Sequence, residues 1–230
     1  MTEPMLGEMR LQWWRDSLEA MTKGGSIGSP VADALGDAIA EFRLPVPMLV
    51  AMTEARAFDL YGDPMPDQAS LDGYLAKTEA IPFELALRIL GVPPDHATAL
   101  SIPAGRAFGL VRVLAWLPRT AAAGRCMLPQ AQLAAFDLTS ADLANGGRPD
   151  DAARLIAALT RDVTAAIDAL RPQLSCLTRR QRVALLPLAV LSPYLRAIDR
   201  KQWRGQAMVT ELAPLLRVWR ITVAHVSGRI

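Results

Sequence analysis

Residues 108–129 read FGLVRVLAWLPRTAAAGRCMLP. From Phe108 to Leu117 the run is apolar except for Arg112, and it lacks the polar–apolar alternation of a half-buried strand. Arg112, Arg119 and Arg125 are its only charges; all are positive, and no acid accompanies them. Gly124 and the Leu128–Pro129 pair then punctuate the chain. The segment reads as a buried helix followed by its exit, with an open question: whether acids would ordinarily stand on this face.

The same helical signature recurs along the chain. Ser29 is placed to cap a helix and Pro30 to open it, and Val31, Ala34, Leu35, Ala38, Ile39 and Phe42 form its apolar stripe. Downstream, Leu155, Ile156, Leu159, Val163, Ile167 and Leu170 form a second stripe, with Asp150 or Asp151 at its start and Pro172 after it. Further helices are expected near 4–22, 46–61, 69–90, 95–117, 130–136, 179–199 and 206–226. The breakers TKGGSIGSP, YGDPMP, GVPP, NGGRPDD and RPQLS fall between them. There is no alternating strand with a hairpin turn and no fixed-period repeat. The expectation is a single all-α domain over residues 1–230.

Composition agrees. The 230-residue chain is 51% hydrophobic and 21% charged, enough to bury a sizeable core. Alanine and leucine dominate over β-branched residues, which favours helix. A net charge of +2 argues against a nucleic-acid partner. A mild basic concentration, Arg179, Arg180, Arg182, Arg196, Arg200, Lys201 and Arg204, reads first as a solvated surface and second as a contact for an acidic partner or anionic lipid. The apolar stretch 183–195 is too short to span a bilayer and holds Pro187 and Pro193, so it is not expected to cross a membrane. The two scattered cysteines and an N-terminus unlike a signal sequence give the expectation of a cytoplasmic protein, with peripheral membrane contact as the variant. Cys126 and Cys176 are expected to be free thiols. With His96 and His225 they make no zinc pattern. The glycine-rich GGSIGS at 24–29 lacks a preceding strand and reads as a linker.

Two acids at i and i+4 on a helix can share a hard cation. Asp33 and Asp37 have that spacing but stand opposite an apolar stripe, so they are expected in water. Asp59 and Asp63 have it too, but Gly62 and Pro64, on either side of Asp63, break the helix before it. Asp59 is expected to meet Arg56 and Glu54. Trp13 and Trp14, adjacent on one helix, point about 100° apart, and core packing of both is the simpler reading.

Taken in order, RLQWWRDSLE, SPVADALGDAIAEFRLP, EARAFDLY, LDGYLAKTEA and AAAGRCMLP resemble the squalene/phytoene synthase superfamily, over residues of about 5 to 200. The resemblance implies the helical cup of isoprenoid synthases, which joins two prenyl diphosphates. It also answers the opening question. Registered on Gly124-Arg125 and Leu128-Pro129, the two acids of the family's second aspartate motif fall on Trp116 and Thr120, and an asparagine of that motif falls on Arg112. The first acidic motif would lie upstream of the WWR segment, near which this chain starts, so a cup short of its first helices is expected. After Tyr74, AKTEAIPFEL replaces a glycine-rich stretch.

Within that superfamily the sequence is similar to a degenerate branch that includes the mitochondrial complex I assembly factor with a phytoene-synthase-like domain. The resemblance thus implies a non-catalytic assembly or lipid/protein-binding factor, without cofactor. The alternative is an active prenyl transferase using magnesium. Candidate cavity residues are Arg10, Trp14, Arg56, Asp59, Tyr74, Arg112, Trp116 and Arg125. Arg10, Arg56, Arg112 and Arg125 suit a diphosphate by guanidinium geometry. Arg112 is expected to stack on Trp116 and pair with Asp59. Expected partners are a protein or second copy covering the open side of the cup, or a prenyl or other lipid.

Overall fold

The computed structural model describes residues 4–23, 27–200 and 211–228, with the side chains of residues 199 and 200 not described. Within them the chain is helical, and no strand occurs among the described residues. The N-terminal helices are α1 (Pro4–Met21), α2 (Pro30–Phe42), α3 (Val46–Ala55) and the single turn α4 (Phe58–Tyr61). Then come α5 (Gln68–Leu75), a π turn (Ala76–Ala80) and α6 (Ile81–Ile89). The long α7 (Pro94–Ala122) is followed by α8 (Gln130–Ala134), α9 (Ser140–Asn145) and α10 (Pro149–Leu174). A 3₁₀ segment (Gln181–Val190), α11 (Leu191–Arg200) and α12 (Pro214–Ser227) complete the fold.

α7 is the axis. Leu100, Ala104, Ala107, Leu110, Leu114 and Leu117 are buried along it. It packs against α10, α6 and the π turn. The stripe read from sequence on α10 is the matching face: Leu155, Leu159, Val163 and Leu170 are buried there. A second, smaller core joins Leu18, Leu44, Leu49, Ile81 and Leu85 under α1 and α3. Buried Glu84 staples α6 to α7, accepting from Arg88 Nη2 at 2.5 Å and Thr98 Oγ1 at 2.9 Å. α7 is long and apolar enough to cross a membrane, but 61% of its most apolar window is buried inside the protein, as in the core helix of a helical domain.

Several boundaries depart from the sequence reading. The helix expected over 46–61 breaks at Arg56–Ala57, where i→i−3 bonds such as Ala57 N–H to Glu54 O at 3.0 Å tighten the chain. The helix expected over 69–90 is continuous only through the π turn. Pro82 has no N–H to close a regular turn, and the Ile81 N–H instead bonds the Ala76 carbonyl five residues back. Pro172 lies inside the last turn of α10 instead of ending it. The helix expected over 179–199 is 3₁₀ through Pro187 and α-helical only from Leu191. α9 was not anticipated; a reciprocal capping box between Thr139 and Asp142 nucleates it. Ser29 sits at the cap of α2, but its side chain makes no cap bond, and Ala32 is buried where Val31 and Ala34 are exposed. Part of the glycine-rich linker (24–26), and the stretch 206–210 of the last expected helix, lie outside the described residues.

Candidate functional site

α7, α5, the π turn, α4 and the exit loop at Gly124–Met127 line an open cavity of about 490 Å³. Arg112, Trp116 and Thr120 stand at i, i+4 and i+8 on α7, and all three line the cavity. The helix then ends at Ala122, and Gly124 takes φ +72°, a left-handed conformation that suits glycine. The turn brings Arg125 and Cys126 back to the same wall. Arg125 lies over Gly62, where a Cβ would meet its Cδ at 3.0 Å.

The polar centre of the wall is a chain of five side chains. Tyr74 Oη donates to Asp59 Oδ1 at 2.7 Å. Arg56 Nη1 donates to Tyr74 Oη at 3.1 Å and to Asp59 Oδ2 at 3.3 Å. Arg56 Nη2 reaches Glu79 Oε1 at 3.4 Å, and Arg112 Nη1 reaches the same oxygen at 3.0 Å. Glu79 is 6% exposed, so its charge is held almost wholly by these two guanidinium groups. Burial, then the bond to Asp59, pushes the Tyr74 hydroxyl above its ordinary value and keeps it a donor. Burial likewise raises the Cys126 thiol.

Glu79 is the residue that sequence reasoning missed. It reaches the wall because the π turn approaches α7 closely at two glycines. A Cβ on Gly105 would lie 2.4 Å from the Ala80 backbone, and one on Gly109 3.1 Å from Glu79 Cγ. The available signal was a glutamate one residue before the small Ala80, in a segment facing Gly105 and Gly109.

Of the expected cavity residues, the structure brings Asp59, Tyr74, Arg112, Trp116 and Arg125 to the wall, with Arg56 bonded behind it. Arg10 and Trp14 are not part of that wall. Arg10 is exposed on α1, and Trp14 is half-buried in an edge-on contact with Trp13, ring centroids 5.0 Å apart. Core packing of both indoles is therefore corrected: Trp13 is 42% exposed. The expected Arg112 contacts are corrected too. Arg119, not Arg112, lies over the Trp116 ring at 5.5 Å, and Arg112 pairs with Glu79, not Asp59. Glu79 lies nearer and is buried, so it takes the guanidinium, while Asp59 is already bonded by Tyr74 and Arg56. Glu54 is exposed and takes no part. Asp63 lines the cavity, and Gly62 at φ +69° separates it from Asp59. Among the described residues, no three His, Cys, Asp or Glu side chains are placed to hold one metal ion together.

The squalene/phytoene synthase family profile matches residues 1–220. The presqualene diphosphate synthase of Zymomonas mobilis is 31% identical over 124 residues, covering 54% of this chain and 42% of that protein. The Homo sapiens NADH dehydrogenase (ubiquinone) complex I, assembly factor 6 is 27% identical over 128 residues, 56% of this chain and 38% of that protein. The chain thus spans less than half the length of these curated relatives. The crystal structure of squalene synthase HpnC from Alicyclobacillus acidocaldarius superposes with TM-score 0.74 at 24% identity, covering 84% of this chain and 74% of that one. A dehydrosqualene synthase in complex with ligand superposes with TM-score 0.80 at 15% identity, covering 95% and 78%. Both show the fold.

Proposed function

The chain belongs to the squalene/phytoene synthase family, and from that premise we propose that it is a non-catalytic member, an assembly or lipid/protein-binding factor that keeps the cup and uses it to hold a ligand. One observation carries the reading: the cavity face of α7 presents Arg112, Trp116 and Thr120, a cation, an indole and a hydroxyl. Ionising a prenyl diphosphate requires the departing charge to be offset, which magnesium on paired carboxylates does. The carboxylates near this wall do not suit that task. Glu79 is occupied by Arg56 and Arg112, Asp59 by Tyr74 and Arg56, and Asp63 stands beyond a left-handed turn. The remaining wall, with Phe58, Leu75, Val113 and Met127, suits an apolar chain, and Arg112 and Arg125 suit an anionic head.

A second reading is an active prenyl transferase, favoured by the 31% identity to a presqualene diphosphate synthase. The test is calorimetric binding of farnesyl diphosphate in magnesium and in chelator. The factor reading expects the same affinity in both, weakened by Arg112→Ala and Arg125→Ala. Binding that requires magnesium supports the enzyme and contradicts the proposal.

A further inference from the structure

α12 is amphipathic in the unexpected sense. Its packed side is marked by Ala224, 5% exposed, with Arg220 and Ile221 half-buried on either side of it. At 100° per residue the opposite arc carries Leu215, Val218, Trp219, Thr222, Val223 and Val226. Leu215 is 84% exposed, Val218 62%, Trp219 57% and Val226 65%. That arc contains no charge, so the helix turns its apolar side outward while the 3₁₀ segment Gln181–Val190 covers the other.

The surroundings are cationic. Residues 178–198 and 212–230 contain no Asp or Glu, Asp199 and the exposed Glu211 standing at their edges. Arg179 Nη2 donates to the Val226 carbonyl at 3.2 Å, and Arg182 Nη1 to the Gly228 carbonyl at 3.1 Å, so two arginines of the 3₁₀ region close the C-terminal end of α12. Arg217 is exposed on the helix but about 20° from Ala224, off the apolar arc, and Arg180 is exposed beside the 3₁₀ segment. These contacts partly correct the reading of the basic cluster as a free surface, because Arg179 and Arg182 also tie α12 in place. Arg200 (its side chain), Lys201 and Arg204 of that cluster lie outside the described residues.

We propose that α12 docks the protein on an anionic bilayer, lying in the plane of the headgroups with Leu215, Val218, Trp219 and Val226 inserted. Its 14 residues extend about 21 Å, short of the roughly 30 Å hydrocarbon layer but suited to lying within the interface. Tryptophan at that depth keeps its ring apolar and its N–H wet. The charge selects the occupant. A second copy meeting this face would set the arginine-rich, acid-free region against itself, whereas phosphatidylglycerol headgroups complement it. The inference is independent of whether the cavity is catalytic.

The experiment is co-sedimentation of the full chain with vesicles of phosphatidylcholine alone and of phosphatidylcholine mixed with phosphatidylglycerol. Wild type is expected to bind the mixed vesicles about tenfold more strongly than the neutral ones, with binding weakened by salt. Val218→Glu/Val226→Glu is expected to lose that binding with an unchanged far-UV spectrum, since both side chains are exposed. Thr222→Glu, at the centre of the arc, is scored beside it and is expected to lose binding also, so a failure of the double variant to fold leaves the test intact. Equal binding to both vesicle types, binding retained by Thr222→Glu, or no binding at all would overturn the proposal. So would a wild-type dimer in light scattering that Thr222→Glu turns into a monomer, because the face would then be a copy–copy interface.

Discussion

Glu79→Gln isolates the feature that distinguishes this cavity. The substitution keeps the shape and one carbonyl acceptor but removes the charge shared by Arg56 and Arg112. Removing one member of a fully buried pair costs about 3–5 kcal/mol, and disrupting an exposed pair about 0.2–1 kcal/mol. Here the acid is 6% exposed, but the guanidinium side chains are 33% and 49% exposed, so both cations can rehydrate when released. The expected cost is therefore intermediate, about 1–2 kcal/mol, or a fall in melting temperature of about 2–8 °C for a domain of this size. The same change leaves Arg112 without its partner at the cavity wall, so affinity for inorganic diphosphate should rise. Thermal melting by circular dichroism and calorimetric titration with diphosphate read the two effects. An unchanged melting temperature together with unchanged diphosphate affinity would refute the argument that Glu79 occupies the cavity's cationic groups.

Trp116→Ala should cost about 1–2 kcal/mol, below the roughly 3–5 kcal/mol of a fully buried aromatic, because Trp116 is 44% exposed; a chemical denaturation curve measures it. Gly105→Ala should cost about 3 kcal/mol, the upper part of the overpacking range, because its Cβ would meet Ala80 backbone at 2.4 Å. Gly109→Ala, whose nearest neighbour at 2.6 Å is the terminal methyl of Leu75, should melt at a higher temperature than Gly105→Ala. Bonds from the Ser70 backbone and side chain hold Asp67 below its ordinary 3.8, and bonds from Thr139 do the same for Asp142. A depressed folded value means that their stabilisation is complete above the unfolded value and is lost as pH falls through the folded one. The melting temperature should therefore decline below about pH 4, and less steeply in Asp67→Asn.

The central helix was legible because its signals are local: an apolar run, a glycine exit and a proline after it. The α10 stripe was legible for the same reason. The helix breaks were not. At Arg56–Ala57 tertiary packing sets the break; at the π turn Pro82 is a local signal, but a missing N–H marks a disturbed turn without specifying that the Ile81 N–H reaches five residues back. That departure is what hid Glu79. A regular helix over 69–90 would turn its side chain differently relative to Tyr74, and the expected pairing of Arg112 with Asp59 rests only on the resemblance, which places both segments around one cup. The site's position could be read from Tyr74, Asp59 and the Gly124–Arg125 exit. Its charge balance could not, because that depends on how closely Gly105 and Gly109 admit the π turn.

The most direct measurement incubates the protein with farnesyl diphosphate, magnesium and NADPH and analyses the lipid extract by mass spectrometry. The account predicts no condensation product above a protein-free blank, since Arg112, Trp116 and Thr120 offer no carboxylate to hold the metal at the departing diphosphate. Presqualene diphosphate, squalene or phytoene formed in proportion to the protein, and lost in chelator, would contradict it.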